Sequence, residues 1–65
     1  MNNLTEQQIK NLFFLIHNTC NMIDIELQYM DDILQAVFEN IPLKPVQKIL
    51  LEEITAGLQR RIFDE

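Results

Sequence analysis

His17 and Cys20 are the only histidine and the only cysteine in the chain. Three residues apart, they are about one helical turn from each other, close enough to share a metal ion or to pair as base and thiol. Neither chemistry is complete. A structural zinc site takes four ligands and a catalytic one three plus water, and a nucleophile needs a base that a third group orients. Cys20 therefore reads as a small apolar residue on a helix seam. The carboxylate pairs Asp31-Asp32, Glu52-Glu53 and Asp64-Glu65 invite acid–base chemistry, which requires an apolar pocket to hold two pKa values apart. Neighbours in sequence point about 100° apart on a helix and do not face each other. These pairs read as solvated helix surface or as a face for a basic partner. No catalytic, cofactor-binding or metal-binding residue is expected.

The elements that carry these residues follow from composition. The chain has 65 residues, enough for one domain over 1–65 that buries only about 60% of its unfolded surface. One cysteine excludes an internal disulfide, which leaves regular packing or oligomerisation as the means of stabilising so small a body. Hydrophobic residues make up 48%, too many for a disordered chain. A single glycine and two prolines supply too few turns for an all-β fold. The net charge is −5, and Lys10, Lys44, Lys48, Arg60 and Arg61 are scattered, so no direct nucleic-acid binding is expected, since phosphate backbones need clustered cations. The longest purely apolar run covers only residues 12–16. That run is far short of a membrane span, and with no basic or apolar leader the expected location is cytoplasmic.

Thr5 followed by Gln8, with Leu4 and Ile9 flanking, predicts a capping box and hydrophobic staple that start a helix near Glu6. From there Ile9, Phe13, Ile16, Cys20, Ile23, Leu27, Met30, Leu34, Val37 and Ile41 alternate four and three residues apart, the a/d spacing of a helix-pairing seam. Asn18, Thr19 and Asn21 are weak helix formers inside this pattern. The unbroken register predicts one long helix over residues 6–40, whereas a break at residues 17–21 gives a three-helix bundle as the alternative. Pro42 and Pro45 end the first unit and start a helix from Pro45 to Phe63, with Val46, Leu50, Leu51, Ile54, Leu58 and Ile62 as its apolar face and Gly57 at a close helix contact.

A helix of residues 6–40 spans about 52 Å and one of residues 45–63 about 28 Å. The short helix leaves the part around Phe13 uncovered. Leu15, Met22, Tyr29 and Ala36 recur every seven residues with Ile25 beside them, making a second apolar strip. The expected fold is an all-α helical hairpin, with a long first helix and a shorter second, that dimerises into a four-helix bundle. Phe13, Leu15, Met22, Ile25 and Tyr29 form the expected partner or dimer interface. The expected function is non-enzymatic: an adaptor, inhibitor or chaperone-like regulator that binds another protein through apolar helix faces and forms a homodimer without it. An acidic nucleic-acid mimic that occupies a partner's basic site is the alternative.

Overall fold

The computed structural model describes residues 4–63, so the Asp64-Glu65 pair lies outside the described residues. Every regular element among those residues is helical: α1 (Glu6–His17), a short 3-10 turn (Thr19–Asn21), α2 (Asp24–Phe38) and α3 (Pro45–Phe63). The long first helix is thus corrected to two. Residues 18–23 form a joint, and the chain has the three-helix arrangement that the break implies.

Local chemistry sets each boundary. The Gln8 backbone N–H donates to Thr5 Oγ1 at 3.1 Å and the Thr5 N–H to Gln8 Oε1 at 2.9 Å, a complete capping box. At the other end of α1, Asn18 Nδ2 donates to the Phe14 carbonyl at 2.8 Å and the Asn18 N–H to the Leu15 carbonyl at 3.1 Å. These bonds satisfy helix-end carbonyls that would otherwise lack donors. The Asn21 N–H then donates to Asn18 and the Met22 N–H to Thr19, and Ile23 is extended at φ −85°, ψ 167°. Its N–H donates to Glu26 Oε1 at 2.9 Å, half of a capping box at the head of α2. The Asn18 side chain competes successfully with the helix for a backbone carbonyl, the backbone turns over residues 18–22 take up the bonds that follow, and heptad phase does not override them.

α2 ends in a Schellman motif. Ile41 N–H donates to the Ala36 carbonyl at 2.8 Å and Asn40 N–H to the Val37 carbonyl at 3.1 Å, with Asn40 in the left-handed region at φ 58°. Asparagine tolerates that conformation better than most side chains. Leu43, between the two prolines, is buried and plugs the turn. Pro45 opens α3, where the Lys44 N–H donates to Gln47 Oε1 at 2.9 Å.

α1 and α2 both pack on α3. Phe14 meets Phe63 with ring centroids 6.4 Å apart, and Glu26 reaches Arg61. α1 therefore runs parallel to α3 and α2 antiparallel to it. The core is built from Leu12 and Leu15 of α1, Met30, Ile33 and Ala36 of α2, Leu51, Ile54 and Leu58 of α3, with Met22 and Leu43 from the connections. The expected length mismatch is gone, because α1 and α2 at about 18 and 22 Å are each shorter than α3 at about 28 Å.

Several sequence expectations change with the break. Val46 is exposed, and Thr55 takes the inward place on α3, its hydroxyl donating to the Leu51 carbonyl at 2.6 Å. Cys20 is exposed on the joint rather than buried on a seam. Gly57 marks no close contact: a Cβ added there meets nothing within 4 Å.

Candidate functional site

On α1 the two apolar faces exchange the roles expected of them. Leu15 is fully buried at 0% exposure and Leu12 nearly so, whereas Ile9, Phe13 and Ile16 are 38%, 57% and 39% exposed. α3 provides a surface for the 12–15 face, and the bundle covers the 9–13–16 face only in part. α2 approaches α3 alongside α1 without closing on it. An open apolar groove of about 300 Å³ remains, lined by Leu4, Ile9, Leu12, Phe13, Ile16, Val37 and Asn40. Its polar edge is Asn40, held in place by the Schellman turn. His17 and Phe13 meet in a T-shaped arrangement, ring centroids 6.4 Å apart and planes at 68°. The volume is at the lower limit of small-molecule pockets, about 300 to 1,000 Å³, and suits one or two apolar side chains of a partner.

The five expected interface residues do not form one strip. Phe13 lines the groove. Leu15 and Met22 are corrected to core residues, because the joint turns Met22 inward and α3 covers Leu15. Ile25 and Tyr29 are exposed on α2, and Tyr29 borders a separate shallow depression with Ile33, Val46 and Leu50. Ile9, Ile16 and Val37 line the groove, although their a/d spacing assigns them to a hairpin's own seam.

A polar clasp closes the other end of the bundle. Arg61 Nη1 donates to the Asn21 carbonyl at 2.7 Å and to Glu26 Oε1 at 3.0 Å, and Nη2 donates to Glu26 Oε2 at 3.1 Å. One guanidinium thus joins the end of α3 to the joint and to the first turn of α2. The bidentate bond from Arg61 holds the Glu26 carboxyl below the usual carboxylate range, against the opposing effect of burial, and the Ile23 N–H adds to the lowering. The same pairing raises Arg61 above its ordinary value. Sequence spacing carries no signal for this clasp beyond Glu26 standing three residues after Ile23.

Asp31, Asp32, Glu52 and Glu53 are all exposed on the outer faces of α2 and α3. Among the described residues no three His, Cys, Asp or Glu side chains gather where they could hold a metal ion. No helix among them is long and apolar enough to cross a membrane. Compared with known proteins, the chain matches no family model, no curated protein and no solved structure.

Proposed function

We propose that the protein is a small non-enzymatic interaction module of the cytoplasm, an adaptor, inhibitor or chaperone-like regulator that presents the α1–α2 groove to other helices and pairs with a second copy of itself when no partner is bound. One observation carries this reading. Ile9, Phe13 and Ile16 form a continuous row on one helix, all three exposed, along a groove whose lining is apolar but for Asn40. Rows of this kind at i, i+4 and i+7 are how one amphipathic helix receives another. Leaving a large side chain fully exposed to water is unfavourable by about 1.5 to 3 kcal/mol; Ile9, Phe13 and Ile16, exposed by 38%, 57% and 39%, each carry a share of that cost, which association removes.

The acidic-mimic reading has a weaker basis. α2 carries Asp24, Glu26, Asp31 and Asp32 and no basic residue, but Glu26 is already engaged by Arg61. Sedimentation velocity at micromolar concentration tests the proposal. The wild-type chain is expected to dimerise at low and at high salt, because apolar contacts are not screened, and Ile16→Lys to remain a folded monomer. A wild-type chain that is monomeric throughout, or a dimer that dissolves on adding salt, would reject it.

A further inference from the structure

We infer that the dimer forms by exchange of α1: residues 18–23 are a hinge, and when it straightens α1 and α2 become one helix whose first half packs on the α3 of a second copy. This rests on the self-association proposed above and says how it occurs.

The register of the buried residues is the first support. Leu15, Met22 and Ala36 are separated by seven and fourteen residues, and Leu12 and Ile33 by twenty-one; all five are buried. Two helices that meet α3 separately, with a joint between them, have no need of a shared heptad phase. Joined into one helix, they would lie on a single face toward α3-like surface, with Thr19, Glu26 and Tyr29 at its intervening heptad positions. A helix over residues 6–38 is about 50 Å long, and one α3 of about 28 Å covers little more than half of it. Two copies of α3, one from each chain, match its length. The contacts that α1 makes with its own α3 would then be made again with the partner's, which is why exchange of an identical element is an inexpensive route to a dimer.

The exposed row is the second support. Ile9, Phe13 and Ile16 continue in a/d spacing through Cys20 and Ile23, both exposed, and onto the partly buried Leu27 and Leu34 of α2. In the closed monomer this row is interrupted at the joint and its first half stays partly exposed along the groove. In the straightened helix it is one seam beside the α3 face, placed to pair with the same seam of the second chain. The Arg61 bond to the Asn21 carbonyl exists only while that carbonyl stands outside a helix, so the clasp acts as the latch of the closed form.

Asp24 gives a selective test. It is the first residue of α2 and follows an extended Ile23, the setting in which proline is favoured. Within a continuous helix the same proline is strongly disfavoured. Asp24→Pro is therefore expected to keep the melting temperature and helix content of Asp24→Ala while weakening dimerisation at least tenfold. Replacing Asn18 and Asn21 with alanine should tighten it at least tenfold, since alanine favours helix through the hinge. Spin labels at positions 10 and 39, on a Cys20→Ser background and diluted with unlabelled chain, measure the hinge directly. The intrachain separation should be about 44 Å in the dimer and much shorter in the monomer, where Ile9 and Asn40 line one groove. A wild-type dimer with the short separation, or an Asp24→Pro chain that dimerises as Asp24→Ala does, would show closed chains docking face to face; exchange then falls and self-association stands. Should Asp24→Pro not fold, the label distance in the wild-type dimer decides alone. A wild-type chain that stays monomeric overturns exchange and self-association together, whatever the Asn18→Ala/Asn21→Ala chain does.

Discussion

Two lysine substitutions on α1, two residues apart, should have opposite outcomes. Leu15 is 0% exposed. Removing a buried leucine side chain costs about 2 to 5 kcal/mol, and an unpaired ammonium in its place adds several more. A chain of 65 residues has about 3 to 10 kcal/mol of stability in all. Leu15→Lys should therefore leave the chain unfolded at room temperature. Phe13 is 57% exposed, so less than half of a side chain of about 200 Å² is covered. Its removal is unfavourable by about 2 kcal/mol at most, and the lysine stem can lie along the groove wall and restore part of that. For a chain this small, about 2 kcal/mol lowers the melting temperature by roughly 8 to 16 °C. Circular dichroism with thermal melts reads both. Phe13→Lys should keep the wild-type helical spectrum at 20 °C or about that temperature and lose only association, whereas Leu15→Lys should lose the spectrum itself. Two variants that melt alike, or an unfolded Phe13→Lys beside a folded Leu15→Lys, would refute the assignment of inner and outer faces.

Gly57→Ala should raise stability by about 1 kcal/mol, because the added methyl meets open space and glycine is the poorer helix former; a lower midpoint in chemical denaturation would reveal a neighbour packed there. Asn40→Ala should destabilise by about 1 kcal/mol and Asn40→Gly should not, since φ at that position is 58° and an alanine is strained there; equal losses in urea unfolding would mean that the amide and not the backbone matters. The Glu26 carboxyl is held below its ordinary value by Arg61, so its contribution to stability is complete above about pH 4.3, the unfolded value, and is lost as pH falls through the lower folded value. Acid titrations of wild type and Glu26→Gln should diverge above that window and converge below it; parallel curves would show that the pair contributes nothing.

Where local chemistry decides an element, the residues announce it. Thr5 and Gln8 cap α1 as their spacing requires, Pro42 and Pro45 bracket the second turn, and α3 runs from Pro45 to Phe63 as its apolar residues require. The break at residues 18–23 was harder to read, because two valid signals conflict there: heptad phase runs through while Asn18, Thr19 and Asn21 favour a cap. Local hydrogen bonding prevails. The choice between the two faces of α1 was not legible at all. Leu12-Leu15 and Ile9-Phe13-Ile16 are equally apolar, and only the position of α3 makes one of them the core. Thr55 was hidden for a related reason, since a hydroxyl that bonds its own helix at the Leu51 carbonyl packs like an apolar group.

The place of α3 at the centre of the bundle has a consequence for how the chain acquires its structure during synthesis. α1 and α2 each bury their apolar faces on α3, and α3 follows both in chain order. A ribosome adds about 5 to 20 residues each second. The first two helices thus wait, with Leu12, Leu15, Met30 and Ile33 uncovered, until the third has been made and has cleared the exit tunnel. α2 and α3 are joined by six residues, 39–44, so their pairing closes the shorter loop and should come first. α1 docks last, onto a surface already built, so the first of the three helices to be made is the last to be protected from proteases, chaperones and its neighbours.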